Sequence, residues 1–136
     1  MQISVYTDGG SRGNPGISGF GVVFYDDQHH IINKMSRFIG VKTNNEAEYL
    51  ALIEALTWVR DHRTEFTAAL FYSDSQLLVR QINGKYKVKA ANIKPLYQIS
   101  VSLISEIHLP VTFREILRDQ NALADSLAND AMDKKI

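Results

Sequence analysis

Residues 2 to 26, QISVYTDGGSRGNPGISGFGVVFYD, hold two extended segments joined by a link with four glycines in eight positions. In residues 2 to 8 the β-branched side chains recur at every second position, which is the period of a strand with one buried face. Residues 18 to 26 and residues 31 to 39 have the same extended character, and the turn DDQHH separates them. We therefore predict a three-stranded antiparallel meander at the start of the chain.

The rest of the chain alternates between helical and extended patterns, which gives the predicted order βββαβααβα. From Asn44 to about Arg60 the apolar side chains recur at the spacing of an amphipathic helix. A strand that returns to its sheet through a helix runs parallel to the strand before it. The later strands should therefore extend the meander into a mixed five-stranded sheet of the α/β class, flanked by helices. The further predicted elements are a strand at 67–74, a helix over SQLLVRQIN, a helix from about Ile93 to Ile107, a strand at 111–118 and a helix over QNALADSLANDAMDKK.

The composition is that of an ordinary globular chain of 136 residues, with 45% hydrophobic and 22% charged residues. This length suits a single domain over residues 1–136. No window is apolar enough for a membrane span and the N-terminus lacks a secretory pattern, so we expect a cytoplasmic protein. The length leaves no room for a separate binding domain, so we expect the protein to act as a monomer. The formal net charge is zero, so binding to a polyanion must come from local clusters of charge. The absence of cysteine excludes disulfides and thiolate metal sites.

Four carboxylates fall at positions where a solvated acid is not expected. Asp8 and Asp74 stand at the carboxyl ends of predicted strands, the edge at which open α/β sheets place their ligands. Glu48 lies on or beside the apolar stripe of its helix, and the segment TNNE (residues 43–46) already supplies a capping box at the helix start. Asp125 flanks the apolar side of the last helix. Local roles stay open for two of them, since Asp8 could begin an Asx turn and Asp74 could cap the next helix.

Carboxylates that are brought inward need a cation, and no lysine or arginine lies one helical turn from Asp125. A metal ion is the simplest source of that positive charge. Oxygen ligands, without cysteine and without a His-x-x-x-His pair, favour Mg²⁺ or Mn²⁺ over zinc. A carboxylate cluster that holds two such ions about 3.5 to 4 Å apart stabilises both the attacking and the leaving oxygen in phosphodiester cleavage. The acids therefore predict hydrolysis of a phosphodiester.

Four motifs follow one another along nearly the whole chain: TDGGSRGNPG, TNNEAEYLALIEAL, YSDSQLLVRQING and RDQNALADSLAND. In sequence and spacing they resemble the type 1 ribonuclease H family. The resemblance implies endonucleolytic cleavage of the RNA strand of RNA/DNA hybrids, with 3′-hydroxyl and 5′-phosphate ends. It also implies two Mg²⁺ or Mn²⁺ ions at the site. By the motif match the catalytic and metal-binding residues are Asp8, Glu48, Asp74 and Asp125.

The resemblance further implies residues that contact the hybrid. Telling RNA from DNA requires groups that sense the 2′-hydroxyl, and amides that donate and accept hydrogen bonds suit this role. Glycines directly after Asp8 would let the backbone approach a sugar-phosphate strand, and Thr43 would hold a phosphate of the DNA strand. The alternatives are a turn for Asn14, a helix cap for Asn45 and an exposed helix position for Gln76. The matching substrate-binding positions are Gly9, Gly10, Ser11, Asn14, Thr43, Asn45 and Gln76.

The chain departs from the family in the segment before the last acid. Many bacterial members have a histidine there, and ILRDQNALAD has none. Arg118 is the nearest substitute and is placed with the catalytic residues. The alternative is a strand-end arginine that pairs with Asp119 or Glu115. We assign no catalysis to the four histidines, which fall in the predicted turn and near predicted helix ends.

A second departure is the segment NGKYKVKAAN, which is shorter than the basic, aromatic-rich handle of some relatives. Lys85, Lys87 and Lys89 alternate with Tyr86 and Val88, so these lysines could still contact phosphates. A solvated loop is the alternative. With a short handle we expect weak binding that depends strongly on salt.

Two other functions fit the same fold. One is a hybrid- or duplex-binding module that has lost cleavage, which the intact set of four acids disfavours. The other is a different metal-dependent phosphodiesterase or nucleotidyl transferase, since a fold does not determine function. The amides at positions 14, 45 and 76 favour an RNA/DNA hybrid over duplex DNA.

Overall fold

A computed structural model describes all 136 residues of the chain. Its elements follow the predicted order, with short 3₁₀ turns at Arg63–Glu65 and Arg118–Asn121. No helix combines the length and the apolar character that crossing a membrane requires. The strands are β1 (Gln2–Gly13), β2 (Gly16–Tyr25), β3 (Ile31–Lys42), β4 (Ala68–Ser73) and β5 (Val111–Glu115), and the helices are α1 (Asn44–Asp61), α2 (Gln76–Ile82), α3 (Lys94–Ile107) and α4 (Ala122–Lys134).

The five strands form one mixed sheet in the order β3-β2-β1-β4-β5. β1 pairs antiparallel with β2, and β2 pairs antiparallel with β3, which confirms the predicted meander. β4 runs parallel to β1, and β5 runs parallel to β4. The predicted mixed sheet is therefore confirmed, and β1 occupies its centre.

The main core lies between one face of the sheet and helices α1 and α3. Ile3 and Val5 of β1 are buried in it together with Leu52 and Leu56 of α1. Since successive strand residues face opposite sides of a sheet, the positions between these, and Asp8 beyond them, belong to the other face. The apolar face of β1 thus anchors α1, while its second face carries an acid.

Helix α4 covers part of this second face and packs very closely on β2. A Cβ at Gly21 would lie 2.6 Å from the Leu127 Cβ, and a Cβ at Gly19 would lie 3.1 Å from the Ala131 Cβ. Glycines on the strand and alanines on the helix allow this approach, because larger side chains would hold the backbones apart. The close packing brings Asp125 of α4 toward β1.

Strand β1 is longer than predicted. It continues beyond Asp8 through the glycines, and its pairing with β2 ends only where Gly13 faces Gly16. Glycine has a weak intrinsic strand propensity, but the hydrogen-bond ladder to β2 is a tertiary contact that outweighs it. The predicted strand end at Asp8 and the alternative Asx turn are therefore both wrong. Asp8 still lies at the edge shared with β4, because β4 ends at Ser73, opposite Thr7.

The segment between β5 and α4 also differs from the prediction. β5 ends at Glu115 instead of at residue 118, and α4 begins at Ala122 instead of at Gln120. A 3₁₀ turn fills the gap, and it is closed by a hydrogen bond from the Leu117 N–H to the Gln120 Oε1 at 2.9 Å. This local bond has no periodic signature, which is why the sequence pattern merges the turn with its neighbours.

Candidate active site

Carboxylates from three separate elements meet at one edge of the sheet. Asp8 lies in β1, Glu48 in α1 and Asp74 immediately after β4, and an oxygen atom of each lies within 4.8 Å of those of the other two. Asp125, in the first turn of α4, lines the same open cavity of about 310 Å³. The structure thus brings the four predicted acids together, with Asp125 outside the tight group of three.

A close backbone contact between β1 and α1 places Glu48. Its Oε1 accepts a hydrogen bond from the Gly9 N–H at 2.8 Å. A Cβ on Gly9 would lie 2.5 Å from the Glu48 backbone nitrogen and closer still to the Ala47 carbonyl, so the helix can approach only because residue 9 is glycine. The predicted capping box between Thr43 and Glu46 is confirmed. Glu48 is therefore not needed at the helix start, and it is only 5% exposed.

The two glycines after Asp8 have different surroundings. The packing of α1 gives Gly9 a structural role that differs from the predicted approach of a nucleic acid. Gly10 also lines the cavity, and a Cβ there would meet only the Met132 Cε, at 3.5 Å. Contact of either glycine with substrate stays a prediction, and Gly10 is the one whose surface is open to a ligand.

Burial and mutual repulsion make these acids reluctant to ionise. Burial, together with the carboxylates of Glu48, Asp74 and Asp125, raises the pKa of Asp8 to about 9. The pKa of Glu48 is raised to about 8, chiefly by burial. The Gly9 N–H and the Arg118 guanidinium oppose this rise, and the Asp74 charge adds to it. Without a cation, Asp8 and Glu48 therefore hold their protons at neutral pH, and ionising them opposes folding.

The cluster fits a hard divalent cation. Every donor in the group of three is a carboxylate oxygen, which is the ligand type that Mg²⁺ and similar ions prefer. A bound cation would also offset the burial and the repulsion that raise the two pKa values. Asp8, Glu48 and Asp74 would hold such an ion, with Asp125 beside them.

In the presence of a chelator, the free energy of unfolding is expected to fall as the pH rises from about 5 to about 9. The pKa values of Asp8 and Glu48 are raised from their ordinary values of 3.8 and 4.5 to about 9 and about 8. Between the ordinary and the raised values the folded chain binds more protons than the unfolded chain, so raising the pH favours unfolding. Melting temperatures at pH 5, 7 and 9 would check this.

Added Mg²⁺ should reverse much of this loss, since it binds the ionised carboxylates of the folded chain. At a hundredfold excess over its dissociation constant the expected gain is about 2.7 kcal/mol. A melting temperature that rises with pH in chelator, or that ignores Mg²⁺ at pH 9, would contradict the cation site.

Arg118 lies beside the cluster. Its Nε is 3.7 Å from the Asp74 Oδ2, its side chain is largely exposed, and it lines the cavity. The alternative pairing with Asp119 or Glu115 is wrong, because Glu115 pairs instead with Arg80 at 3.1 Å and Arg118 sits in the 3₁₀ turn after the strand. No histidine lines the cavity. Arg118 is thus an exposed cation within 4 Å of one of the acids, and its catalytic role stays a prediction.

The predicted amides lie around the start of α1. Thr43 is the N-cap, so the alternative that Asn45 caps this helix is wrong; Asn45 is exposed in the first turn. Asn14 does more than form a turn, because its Oδ1 accepts a hydrogen bond from the Asn44 N–H at 3.0 Å. These predicted positions surround the beginning of α1, but none of them lines the cavity that holds the acids. Their contact with substrate stays a prediction.

Of the two remaining predicted substrate-binding residues, Ser11 lines the cavity and Gln76 does not. The Ser11 hydroxyl lies within hydrogen-bonding reach of the carbonyl oxygens of Gly13 and Lys42 and can donate its single proton to either, which links β1 to the end of β3. Gln76 is exposed in the first turn of α2, which agrees with the alternative of an exposed helix position. The cap of α2 is Ser75, whose Oγ accepts from the Leu78 N–H at 3.2 Å. The alternative that Asp74 caps this helix is therefore wrong.

The three predicted lysines lie away from the acids. Lys85, Lys87 and Lys89 are exposed in the segment between α2 and α3, and none of them lines the cavity. Their placement is compatible with both a phosphate contact and the solvated-loop alternative.

Asn121 is a residue of the site that the sequence patterns missed. Its Nδ2 donates to the Thr7 carbonyl at 2.9 Å across 114 positions of sequence, and it is 2% exposed. This bond joins the start of α4 to the residue before Asp8, so it sets Asp125 relative to Asp8. An asparagine before a helix suggests only a cap, and Asn121 makes no capping bond. Arg12 and Asn129 line the cavity, which Asn121 does not, and they carried no signal either.

Comparison with known proteins supports the fold and the family resemblance. A family model described as reverse transcriptase-like matches residues 6–131. Two solved structures of LC11-RNase H1, isolated from compost by a metagenomic approach, superimpose with TM-scores of 0.92 and 0.93 at 41% and 40% identity. The matches cover 98% of this chain and 97% and 98% of the relative, and the second structure is a complex with an RNA/DNA hybrid.

Two further relatives differ in how much of their length is matched. The RNase H1 of the halophilic archaeon Halobacterium salinarum gives a TM-score of 0.91 at 32% identity, over 98% of this chain and 99% of that one. The bifunctional protein Rv2228c of Mycobacterium tuberculosis is 38% identical over 136 residues, which are 98% of this chain. The chain spans only 36% of the length of that mycobacterial relative.

Proposed function

This chain belongs to the type 1 ribonuclease H family, and we propose that it is an endoribonuclease that cuts the RNA strand of RNA/DNA hybrids. The observation that carries the proposal is the meeting of Asp8, Glu48 and Asp74 within 4.8 Å, with Asp125 beside them. The hybrid bound to the compost relative supports the choice of substrate. The proposed products carry 3′-hydroxyl and 5′-phosphate ends, and the proposed cofactor is two Mg²⁺ or Mn²⁺ ions.

The proposed reaction is a hydrolysis at phosphorus. A water oxygen forms a bond to phosphorus, the bond from phosphorus to the 3′ oxygen breaks, and that oxygen leaves with a proton. Two divalent ions, when bound, supply an activated water and stabilise the leaving oxygen. The fold holds the carboxylates in place for this reaction. The Gly9 N–H donates to Glu48. Thr7 and Ser73 are paired across β1 and β4, so the residues that follow them, Asp8 and Asp74, lie side by side.

Recognition of the hybrid is proposed to involve the start of α1. The start of this 18-residue helix offers a favourable dipole and the Asn45 N–H for a phosphate of the DNA strand, with the Thr43 hydroxyl beside them. The N–H groups of Asn44 and Glu46 are already bonded to Asn14 and Thr43. Asn45 and Gln76 are exposed on two helix starts near the acids. Their amides can both donate to and accept from a 2′-hydroxyl, which DNA lacks.

Basic side chains from two parts of the chain have proposed supporting roles. Arg118, which is exposed beside Asp74, is proposed to assist the attacking water or the departure of product. Lys85, Lys87 and Lys89 are proposed to contact phosphates, so hybrid binding should weaken with added salt. The proposed setting is the cytoplasm, with the chain acting as a monomer.

Cleavage of labelled substrates tests this function directly. The protein would be incubated with RNA/DNA hybrid, duplex DNA and duplex RNA, each with Mg²⁺, with Mn²⁺ and with chelator. We expect cleavage of the RNA strand of the hybrid alone, and only with a divalent ion, because the acids need the cation and the amides need the 2′-hydroxyl. Binding of the hybrid without cleavage in either metal would point instead to a nucleic-acid-binding module. Cleavage of duplex DNA would point to another phosphodiesterase.

A further inference from the structure

Arg12 lines the cavity, and neither the proposed metal site nor the proposed amide contacts give it a role. The cavity is lined by four carboxylates and by only two cations, Arg118 and Arg12. We propose that Arg12 binds a backbone phosphate of the cleaved nucleic-acid strand, and that Asp133 competes with this phosphate for its guanidinium group. The proposal rests on the proposed function, and it adds a substrate-binding residue together with an intramolecular competitor.

The strand geometry places Arg12 on the same track as Asp8. Asp8, Gly10 and Arg12 occupy alternate positions of β1, so all three face the α4 side of the sheet. Four residues of strand span about 13 Å. Between the two ends only Gly10 intervenes, and a Cβ there would meet nothing but the Met132 Cε. The track from Asp8 to Arg12 is therefore an open surface with a cation at its far end.

Contacts with α4 hold the Arg12 side chain over this surface. Its Nη1 lies 2.6 Å from the Asp133 Oδ1, and its Nη2 lies 3.3 Å from the Asn129 Oδ1. The Asn129 Nδ2 in turn donates to the Asp125 carbonyl at 3.0 Å, one helical turn earlier. The guanidinium is thus fixed one turn of α4 beyond the acid that completes the cluster.

Electrostatics favours a phosphate at this position. A strand that crosses four carboxylates is repelled unless cations flank its path, and the net charge of zero gives no overall attraction. A guanidinium presents parallel N–H groups that match two phosphate oxygens, and such charge-assisted pairs are strong. A phosphate bound to Arg12, at the far end of the track about 13 Å from Asp8, would therefore offset part of the repulsion between the strand and the acids.

The pair with Asp133 is weak enough to be exchanged. The Arg12 and Asp133 side chains are 43% and 59% exposed, and an ion pair in such contact with water contributes only about 0 to 1 kcal/mol. Removing either partner should therefore change stability little. The effects of the two removals on substrate binding should have opposite signs, which separates phosphate binding from a purely structural link between β1 and α4.

The test compares Arg12→Ala, Arg12→Lys and Asp133→Ala in hybrid cleavage, with hybrid binding followed by fluorescence anisotropy at several salt concentrations. Arg12→Ala should raise KM and Kd about tenfold with kcat unchanged, and should lower the slope of log Kd against log salt by about 1. Arg12→Lys should recover part of the loss. Asp133→Ala should lower KM, because it frees the guanidinium.

Arg60→Ala is the matched control, since Arg60 pairs with Asp61 and Glu106 and does not line the cavity. If Asp133→Ala raises KM as Arg12→Ala does, the pair is structural and the inference is overturned. An unchanged KM and salt slope in Arg12→Ala, beside a wild type that cleaves hybrid, overturns the inference alone. A wild type that neither binds nor cleaves hybrid overturns the proposed function, and the inference with it.

Discussion

Asp8→Asn is expected to abolish hydrolysis of the hybrid while making the metal-free protein more stable. The substitution removes a carboxylate oxygen from the group of three and leaves the shape of the side chain almost unchanged. Metal ions contribute several kcal/mol of transition-state stabilisation, so activity should fall on the order of 10³-fold or more.

The gain in stability has the same origin. Burial and three neighbouring carboxylates raise the pKa of Asp8 to about 9, so an ionised Asp8 opposes folding in the absence of a cation. A neutral amide removes this repulsion, and we expect roughly 0.5 to 2 kcal/mol of added stability at pH 8 in chelator. The gain should shrink when Mg²⁺ is added, because only the wild-type site has all its ligands.

Turnover assays with Mg²⁺ and thermal melts in chelator measure both effects on one protein. Asp130→Asn is the matched control, since Asp130 is an exposed acid on α4 whose lysine partner lies 4.0 Å away; its activity and stability should stay close to those of the wild type. Retained turnover in Asp8→Asn would remove Asp8 from the catalytic set. Lost turnover together with lost stability would mean that the residue is structural.

The architecture of this chain was predictable because its signals are periodic. The alternating side chains of residues 2 to 8 and the helical spacing after Asn44 each indicate an element and a buried face, and chain connectivity then makes the later strands parallel. The grouping of the four acids was predictable because they occur in four family motifs in order, and because Glu48 and Asp125 lie beside apolar helix faces, where a local reason for a carboxylate is weak. Glu48 shows this best, since the capping box beside it was already complete.

Contacts between distant segments were not predictable from such signals. The continuation of β1 through its glycines depends on pairing with β2, and the place of Asn121 depends on a carbonyl 114 positions away. The local alternatives for Asp8 and Asp74, an Asx turn and a helix cap, failed for the same reason. Each of these features depends on residues that are close in space but distant in sequence. A single sequence indicates such contacts only where its motifs resemble those of a known family.

Gly9→Ala should destabilise the protein and reduce its activity. Gly10→Ala should cause no packing clash, so neither effect should arise from packing there. A Cβ at residue 9 would lie 2.5 Å from the Glu48 backbone nitrogen and closer to the Ala47 carbonyl, so α1 would have to move away from β1. Overpacking of this kind costs about 1 to 3 kcal/mol. The shift would also lengthen the bond from the Gly9 N–H to the Glu48 Oε1, so kcat should fall as well.

Gly10→Ala is the matched control for packing, because its Cβ would meet only the Met132 Cε at an ordinary 3.5 Å. Its stability should be unchanged or higher by about 0.4 to 1 kcal/mol, since alanine restricts the unfolded chain. If nucleic acid passes close to Gly10, the variant should raise KM at unchanged kcat, which separates substrate contact at residue 10 from helix packing at residue 9. Equal melting temperatures and equal kcat for Gly9→Ala and the wild type would show that α1 does not need this close approach to hold Glu48 in the cluster.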